Sequence, residues 1–160
     1  MTRRMIFPDR VLGMSGTIHT FFGRAILPIS VSIVAVPVID DIRGRVVEMY
    51  ISLKPGYEAS DAMAGKVTAT IETEIGKIAR PKNVWIVPDM PKTRSGKIMR
   101  RVIAAVSNFT DVGDVTTLAN PEVVEGIRHQ VQAAKVDRGE VPRELSEMEK
   151  AEIEAFGSET

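Results

Sequence analysis

The densest group of residues able to do chemistry lies between positions 77 and 101. Lys77, Arg80, Lys82, Lys92, Arg94, Lys97, Arg100 and Arg101 are basic, and Asp89 is the one acid among them. Most of this charge sits on or beside PDMPKTRSGK (88–97), whose two prolines, glycine, serine and threonine specify a loop. Ser95 and Gly96 are small, so the backbone there can approach a ligand closely. Lys97 follows them and can carry its ammonium at the loop tip as a mobile point charge. Phosphate is the natural target for such a charge. A Walker A loop is excluded, because G-x-x-x-x-G-K-[ST] needs Gly at 91 and a hydroxyl residue after the lysine. The chain has Pro91 and Ile98 at those places. Taken alone, a basic loop is most often solvated surface.

Other chemistries are thinly represented. Cysteine is absent from the 160 residues, which removes disulfides, thiolate metal sites and thiol nucleophiles together. His19 and His129 are far apart and neither has a metal-ligand spacing, so no metal site is expected. Lys+Arg and Asp+Glu both number 21, so the standing positive excess of a nucleic-acid binder is missing. Trp85 is the single aromatic within 77–101 and reads as core, leaving no stacking platform for bases. The apolar run from Ala25 to Ile39 contains Pro28 and Pro37 and falls short of the roughly 20 residues that span a bilayer. Arg3 and Arg4 are followed by Pro8, Asp9 and Arg10, which is not a secretory signal. The expectation is a soluble cytoplasmic protein with neither nucleic acid nor membrane as partner.

The elements that would position the loop can be read from the periodicities. ISVSIVAV (29–36) is rich in Val and Ile and predicts a strand, with a turn over PVIDDIRG (37–44). RVVEMYISLK (45–54) predicts a second strand antiparallel to the first, and KPGY (54–57) a turn. Ser60 is placed to cap a helix in which Met63, Val67, Ile71 and Ile75 share a face, with Gly76 as its stop. NVWIV (83–87) predicts a third strand, and three strands with that helix would cover one face of a small sheet. Ile98, Val102 and Val106 predict a helix after the loop, with Arg100 and Arg101 facing water. Asn120-Pro121 reads as a cap followed by proline at the first position of a helix carrying Val124, Ile127 and Val131. From Glu140 onward seven glutamates face Arg143 and Lys150, and Ser146 with Glu149 forms a capping-box pattern for a short acidic helix. The fold class expected is α+β: a small antiparallel sheet of about three strands with packed helices and a helical C-terminal extension. Its divisions are an N-terminal segment 1–28, a lysine-bearing domain 29–135 and an acidic, mobile tail 136–160.

PKTRSGKIMRR (91–101) is a specific string. It resembles the lysine-bearing signature near the C-terminus of AMP-forming acetyl-coenzyme A synthetases, members of the adenylate-forming superfamily. IRGRVVEMYISLKPGYEAS (42–60), EIGKIARPKNVWIVPDMPKTRSGKIMRRV (74–102) and GDVTTLANPEVVEGIR (113–128) are similar to successive parts of the family's small C-terminal domain. The resemblance runs from about Ile33 to Gln130. It implies acetate + ATP + coenzyme A giving acetyl-coenzyme A + AMP + diphosphate, with Mg²⁺ travelling with ATP. It also implies that Lys97 is the catalytic lysine that enters the active site for adenylation and withdraws when the domain rotates for thioester formation. In this family that lysine is a target of acetylation, which removes its charge.

The chain also departs from the family. The phosphate loop, adenine pocket and acetate pocket of the family's large domain do not occur in these 160 residues. Aligned on Ser15-Gly16, Asp9 falls at the hinge aspartate and Gly16 at a glycine near the coenzyme A path, while Phe7 and Ile18 replace two nucleotide-holding arginines. Glu72 stands where the family has a basic residue contacting a coenzyme A phosphate, and reads here as an exposed helix residue. The expectation is an isolated C-terminal domain or fragment, inactive alone and binding no cofactor tightly. Its partner would be a large N-terminal domain in trans or a full-length synthetase. The alternative is a non-catalytic interaction or regulatory module docking on a full-length synthetase.

Overall fold

The computed structural model describes residues 29–155, so Asp9, Gly16 and the rest of segment 1–28 lie outside the described residues, as do 156–160. Strands β1 (Ser30–Asp40) and β2 (Gly44–Leu53) form an antiparallel hairpin. β1 runs on through the predicted turn to Asp40, with Pro37 paired to Val47. Proline is tolerated because β1 is an edge strand and the missing N–H lies on its outer side. On that side Asn108 donates to Pro37 O (2.9 Å) and accepts from Ile39 N (3.0 Å), which blunts the edge. The turn contracts to residues 41–43, where Asp40 Oδ1 accepts from the amides of Ile42 (3.0 Å) and Arg43 (2.8 Å).

Helix α1 (Asp61–Glu74) starts as predicted, with Ser60 Oγ accepting from Met63 N at 3.1 Å. Val67 and Ile71 are buried, Met63 is half-buried, and Ile75 is 40% exposed. The stripe drifts because four residues overshoot a 3.6-residue turn, so a run of four such positions cannot all face the sheet. After α1 the chain returns as β3 (Asn83–Val87), which pairs parallel to β2. The expected antiparallel pairing holds for β1 and β2; the sheet of three strands is mixed, in the order β1-β2-β3. A helical crossover delivers the next strand in the same direction, whereas a tight turn reverses it.

Both faces of the sheet are covered. Met49 and Ile51 pack with Val67 and Ile71 of α1 on one face. On the other, Val34, Val36, Val38, Tyr50, Trp85 and Val87 pack against α2 (Arg100–Ser107) and α3 (Glu122–Asp137). The predicted α3 stripe of Val124, Ile127 and Val131 is buried there. Helix α4 (Glu147–Ala155) follows Ser146, and Leu145 just before it closes the same core. The class is α+β, as expected, with α1 on one face of the sheet and the later helices on the other.

The β1–β2 turn carries a pH-dependent contribution. The hydrogen bond from Lys82 Nζ (2.7 Å), with those from the turn amides, holds the Asp40 carboxyl at about 2, below its ordinary 3.8. A carboxyl lowered on folding stabilises above its unfolded pKa, and that stabilisation is lost as pH falls from about 4 toward 2. Asp40→Asn is expected to cost on the order of 1–2 kcal/mol at pH 7 and almost nothing near pH 2. Urea unfolding of both chains at the two pH values checks this; an equal cost at both would remove ionisation from the account.

Candidate functional site

The predicted loop is a small ordered hairpin. Lys92 and Ile98 form an antiparallel bridge, and Met99 N donates to Pro91 O at 2.9 Å. At the tip, Thr93 N donates to Lys97 O and Gly96 N to Thr93 O, both at 2.9 Å. Gly96 has φ +84° with open space around its Cβ position, so glycine is required by the turn itself. Thr93 Oγ1 lies 2.9 Å from Ser95 Oγ and accepts from Lys97 N at 3.2 Å. Arg94, Ser95, Gly96 and Lys97 are exposed. Lys97 therefore stands on the return limb just past a tight turn, with a defined backbone and a solvent-facing side chain.

The eight basic residues do not make one patch. Lys82 is taken by Asp40, Arg80 by Glu72 (3.3 Å) and Lys92 by Asp89 (2.6 Å). Arg101 does not simply face water: its guanidinium donates to Val112 O (2.6 Å) and Asp114 O (3.3 Å). Glu72 is half-buried and ion-paired, where an exposed residue was expected. Desolvation would raise the Asp89 carboxyl, but hydrogen bonds from Lys92, Met90 N and Asn120 outweigh it and hold the pKa below the usual range. Asn120 does not cap its helix through its side chain; it reaches the hairpin stem, and the N-cap of α3 is Pro121.

A second polar group was not foreseen. Glu48 and Lys135 are 0% and 2% exposed, with Lys135 Nζ 2.9 Å from Glu48 Oε1. Lys135 also donates to Ser107 O (2.6 Å), while Glu48 accepts from Asn83 Nδ2 (2.9 Å) and Trp85 Nε1 (3.1 Å). Burial pushes the Lys135 ammonium below the ordinary lysine range, with Glu48 opposing. The signal was present: Lys135 continues the Ile127–Val131 stripe, and Glu48 sits two residues from Tyr50 on one face of a buried strand. Every polar atom of the pair is engaged and sealed from solvent, so it holds layers together and has no reach to a substrate. A groove of about 270 Å³ lies along β3 between α1 and α3, lined by Ser60, Trp85, Ile86, Gln130 and Arg138 among others; Lys97 is not part of it. Among the described residues, no group of three or more His, Cys, Asp or Glu side chains is placed to hold a metal ion, and no helix is long and apolar enough to cross a membrane.

Residues 27–97 match the family of the AMP-binding enzyme C-terminal domain. The chain is 42% identical over 97 residues to an acetyl-coenzyme A synthetase of Rubrobacter xylanophilus, covering 60% of this chain and 15% of that protein. It is 49% identical over 92 residues to acetyl-coenzyme A synthetase 2 of Candida albicans, covering 55% of this chain and 14% of that protein. The chain thus spans about a seventh of the length of these relatives. Among solved structures, acetoacetyl-CoA synthetase from Streptomyces lividans shares the fold, with a TM-score of 0.54 at 17% identity over 74% of this chain and 18% of that one.

Proposed function

We propose, from the premise that residues 27–97 belong to the AMP-binding enzyme C-terminal domain family, that this chain supplies the adenylation lysine, Lys97, of an acetate–coenzyme A ligase acting in the cytoplasm. The observation that carries the reading is the exposed Lys97 on a hydrogen-bonded hairpin inside the string PKTRSGKIMRR. The overall reaction is acetate + ATP + coenzyme A giving acetyl-coenzyme A + AMP + diphosphate. In its first half, an acetate oxygen attacks the α-phosphorus of ATP and diphosphate leaves. Negative charge develops on the oxygens around that phosphorus, and a preorganised ammonium beside them lowers the barrier. A lysine on a rigid hairpin fits this role better than one on a floppy loop, because less ordering remains to be done at the moment of reaction.

ATP, Mg²⁺ and coenzyme A would be held mainly by a large substrate-binding domain, on the same polypeptide or on another. The described residues of this chain offer positive charge to the phosphates and no cluster of carboxylates for Mg²⁺. Toward coenzyme A they offer little, since Glu72 carries the wrong charge and engages Arg80. Lys97 without bound substrates has no transition state to stabilise, so the chain alone is expected to be inactive.

The test is reconstitution. The large domain of an acetyl-coenzyme A synthetase, cut free of its own C-terminal domain, is mixed with this chain or fused to it. Acetate-dependent exchange of labelled diphosphate into ATP should rise well above that of the large domain alone. No rise in either format would overturn the reading, as would exchange catalysed by this chain on its own.

A further inference from the structure

GDVTTLANP (113–121) joins α2 to α3; the core takes its Leu118 and Val115, and neither the core nor the proposed chemistry accounts for Gly113 and Asn120. It crosses beside the Lys97 hairpin and is fastened at both ends. At the first end Arg101 holds Val112 O and Asp114 O. Gly113 between them has φ +66°, and a Cβ there would lie 2.8 Å from the Arg101 guanidinium, so glycine alone fits. The middle of the strap pairs with the hairpin: Leu118 bridges Thr93, and Ala119 N donates to Lys92 O at 2.8 Å.

At the second end stands Asn120. Its Oδ1 accepts from Lys92 N at 2.9 Å, and its Nδ2 donates to Met90 O at 2.9 Å and to Asp89 Oδ2 at 3.3 Å. One side chain thus ties three positions of the hairpin's entry limb. Lys92 is the pairing partner of Ile98, the residue after Lys97, so its outward backbone groups are held by the strap while its inward neighbours hold the return limb. We propose that Asn120 is a positioning residue for Lys97: by clamping the entry limb it fixes where the return limb presents the lysine. This rests on the proposed role of Lys97.

Amide exchange in the whole chain tests the clamp without any catalysis. In Asn120→Ala, the amides of Thr93 and Met99, bonded to Lys97 O and Pro91 O, should exchange at least tenfold faster, while those of β2 and α1 keep their wild-type rates. Wild-type rates at Thr93 and Met99 would overturn the proposal. So would a uniform loosening that includes β2, or a failure to fold, because Asn120 would then serve the fold and not the hairpin. Asp89→Ala removes the longest of the three Asn120 bonds, the Lys92 ion pair and the bond from Met90 N, but keeps the Asn120 bonds to Lys92 N and Met90 O, and should accelerate the same two amides by less. A second arm uses the reconstituted enzyme. Asn120→Ala should lower the rate of adenylation at saturating ATP and acetate at least tenfold with little change in either KM; a change confined to KM would overturn the positioning role. A wild-type chain that supports no adenylation counts against the proposed function, and the exchange rates still decide the clamp.

Discussion

Lys97→Ala is expected to slow acetyl-adenylate formation by about 10²–10³-fold when this chain works with a large domain, the loss typical of removing one preorganised charge-stabilising group. Formation of the thioester from preformed acetyl-adenylate and coenzyme A should be nearly unchanged. The difference follows from a lysine that acts only in the first half-reaction, where charge grows around the α-phosphorus. The fold should barely respond. The side chain is exposed, and the hydrogen bonds of this residue to Thr93 are made by its N–H and C=O, which alanine retains. A stability change within about ±0.5 kcal/mol is expected, as for most surface substitutions. Single-turnover measurement of the two half-reactions, with thermal unfolding of the isolated chain, checks all three statements. Equal loss in both half-reactions would make Lys97 a structural residue. Unfolding of the variant would show that the hairpin tip depends on its side chain.

The largest effect on stability is expected at the buried ion pair. Lys135→Ala leaves the Glu48 carboxylate in the core without its countercharge and strips a donor from Ser107 O. Breaking such a pair from one side costs about 3–5 kcal/mol, a large fraction of the stability of a domain this size. Glu48→Gln with Lys135→Met should recover most of the loss. Both charges are then gone, the volumes are close to the originals, and a glutamine can still bond Trp85 or Asn83. Urea unfolding at pH 7 of the two single variants and the double variant measures the coupling directly. A cost below about 1 kcal/mol for Lys135→Ala would mean that water reaches Glu48, contrary to its full burial. The pair matters for the site because it joins α3, which begins at the Asn120 strap, to β2 at the centre of the sheet.

Much of the architecture was legible from local signals. The Val- and Ile-rich runs placed β1 and β2, NVWIV coincides with β3, and Ser60 caps α1 through the hydroxyl that its residue type supplies. The turn at Pro55-Gly56 and the tip at Ser95-Gly96 were readable because a glycine at positive φ is a local requirement, met by residues a few positions apart. The exposure of Lys97 came from the same kind of signal, whereas its catalytic role is what the resemblance of PKTRSGKIMRR implies. Each of the local signals depends on backbone preference or on the period of a single element, and both are written in contiguous residues.

What escaped depended on partners distant in the chain. Pro37 signals a turn on its own terms; it sits inside a strand because β1 turned out to be an edge whose outer side is bonded by Asn108, 71 positions away. The direction of β3 hinged on α1 acting as a crossover. Asn120 looks like a helix cap by type and place, yet Lys92, Met90 and Asp89 offer it three bonds that its own helix does not. Nothing in the sequence pairs Glu48 with Lys135: a lone buried charge is prohibitive, and only the meeting of β2 and α3 makes the two tolerable together. The sequence alone therefore determined the elements and the lysine at the hairpin tip. Which polar side chains are spoken for, and by whom, was decided only by tertiary structure, because a hydrogen bond or ion pair exists between two groups and its worth is set by how much water their packing excludes.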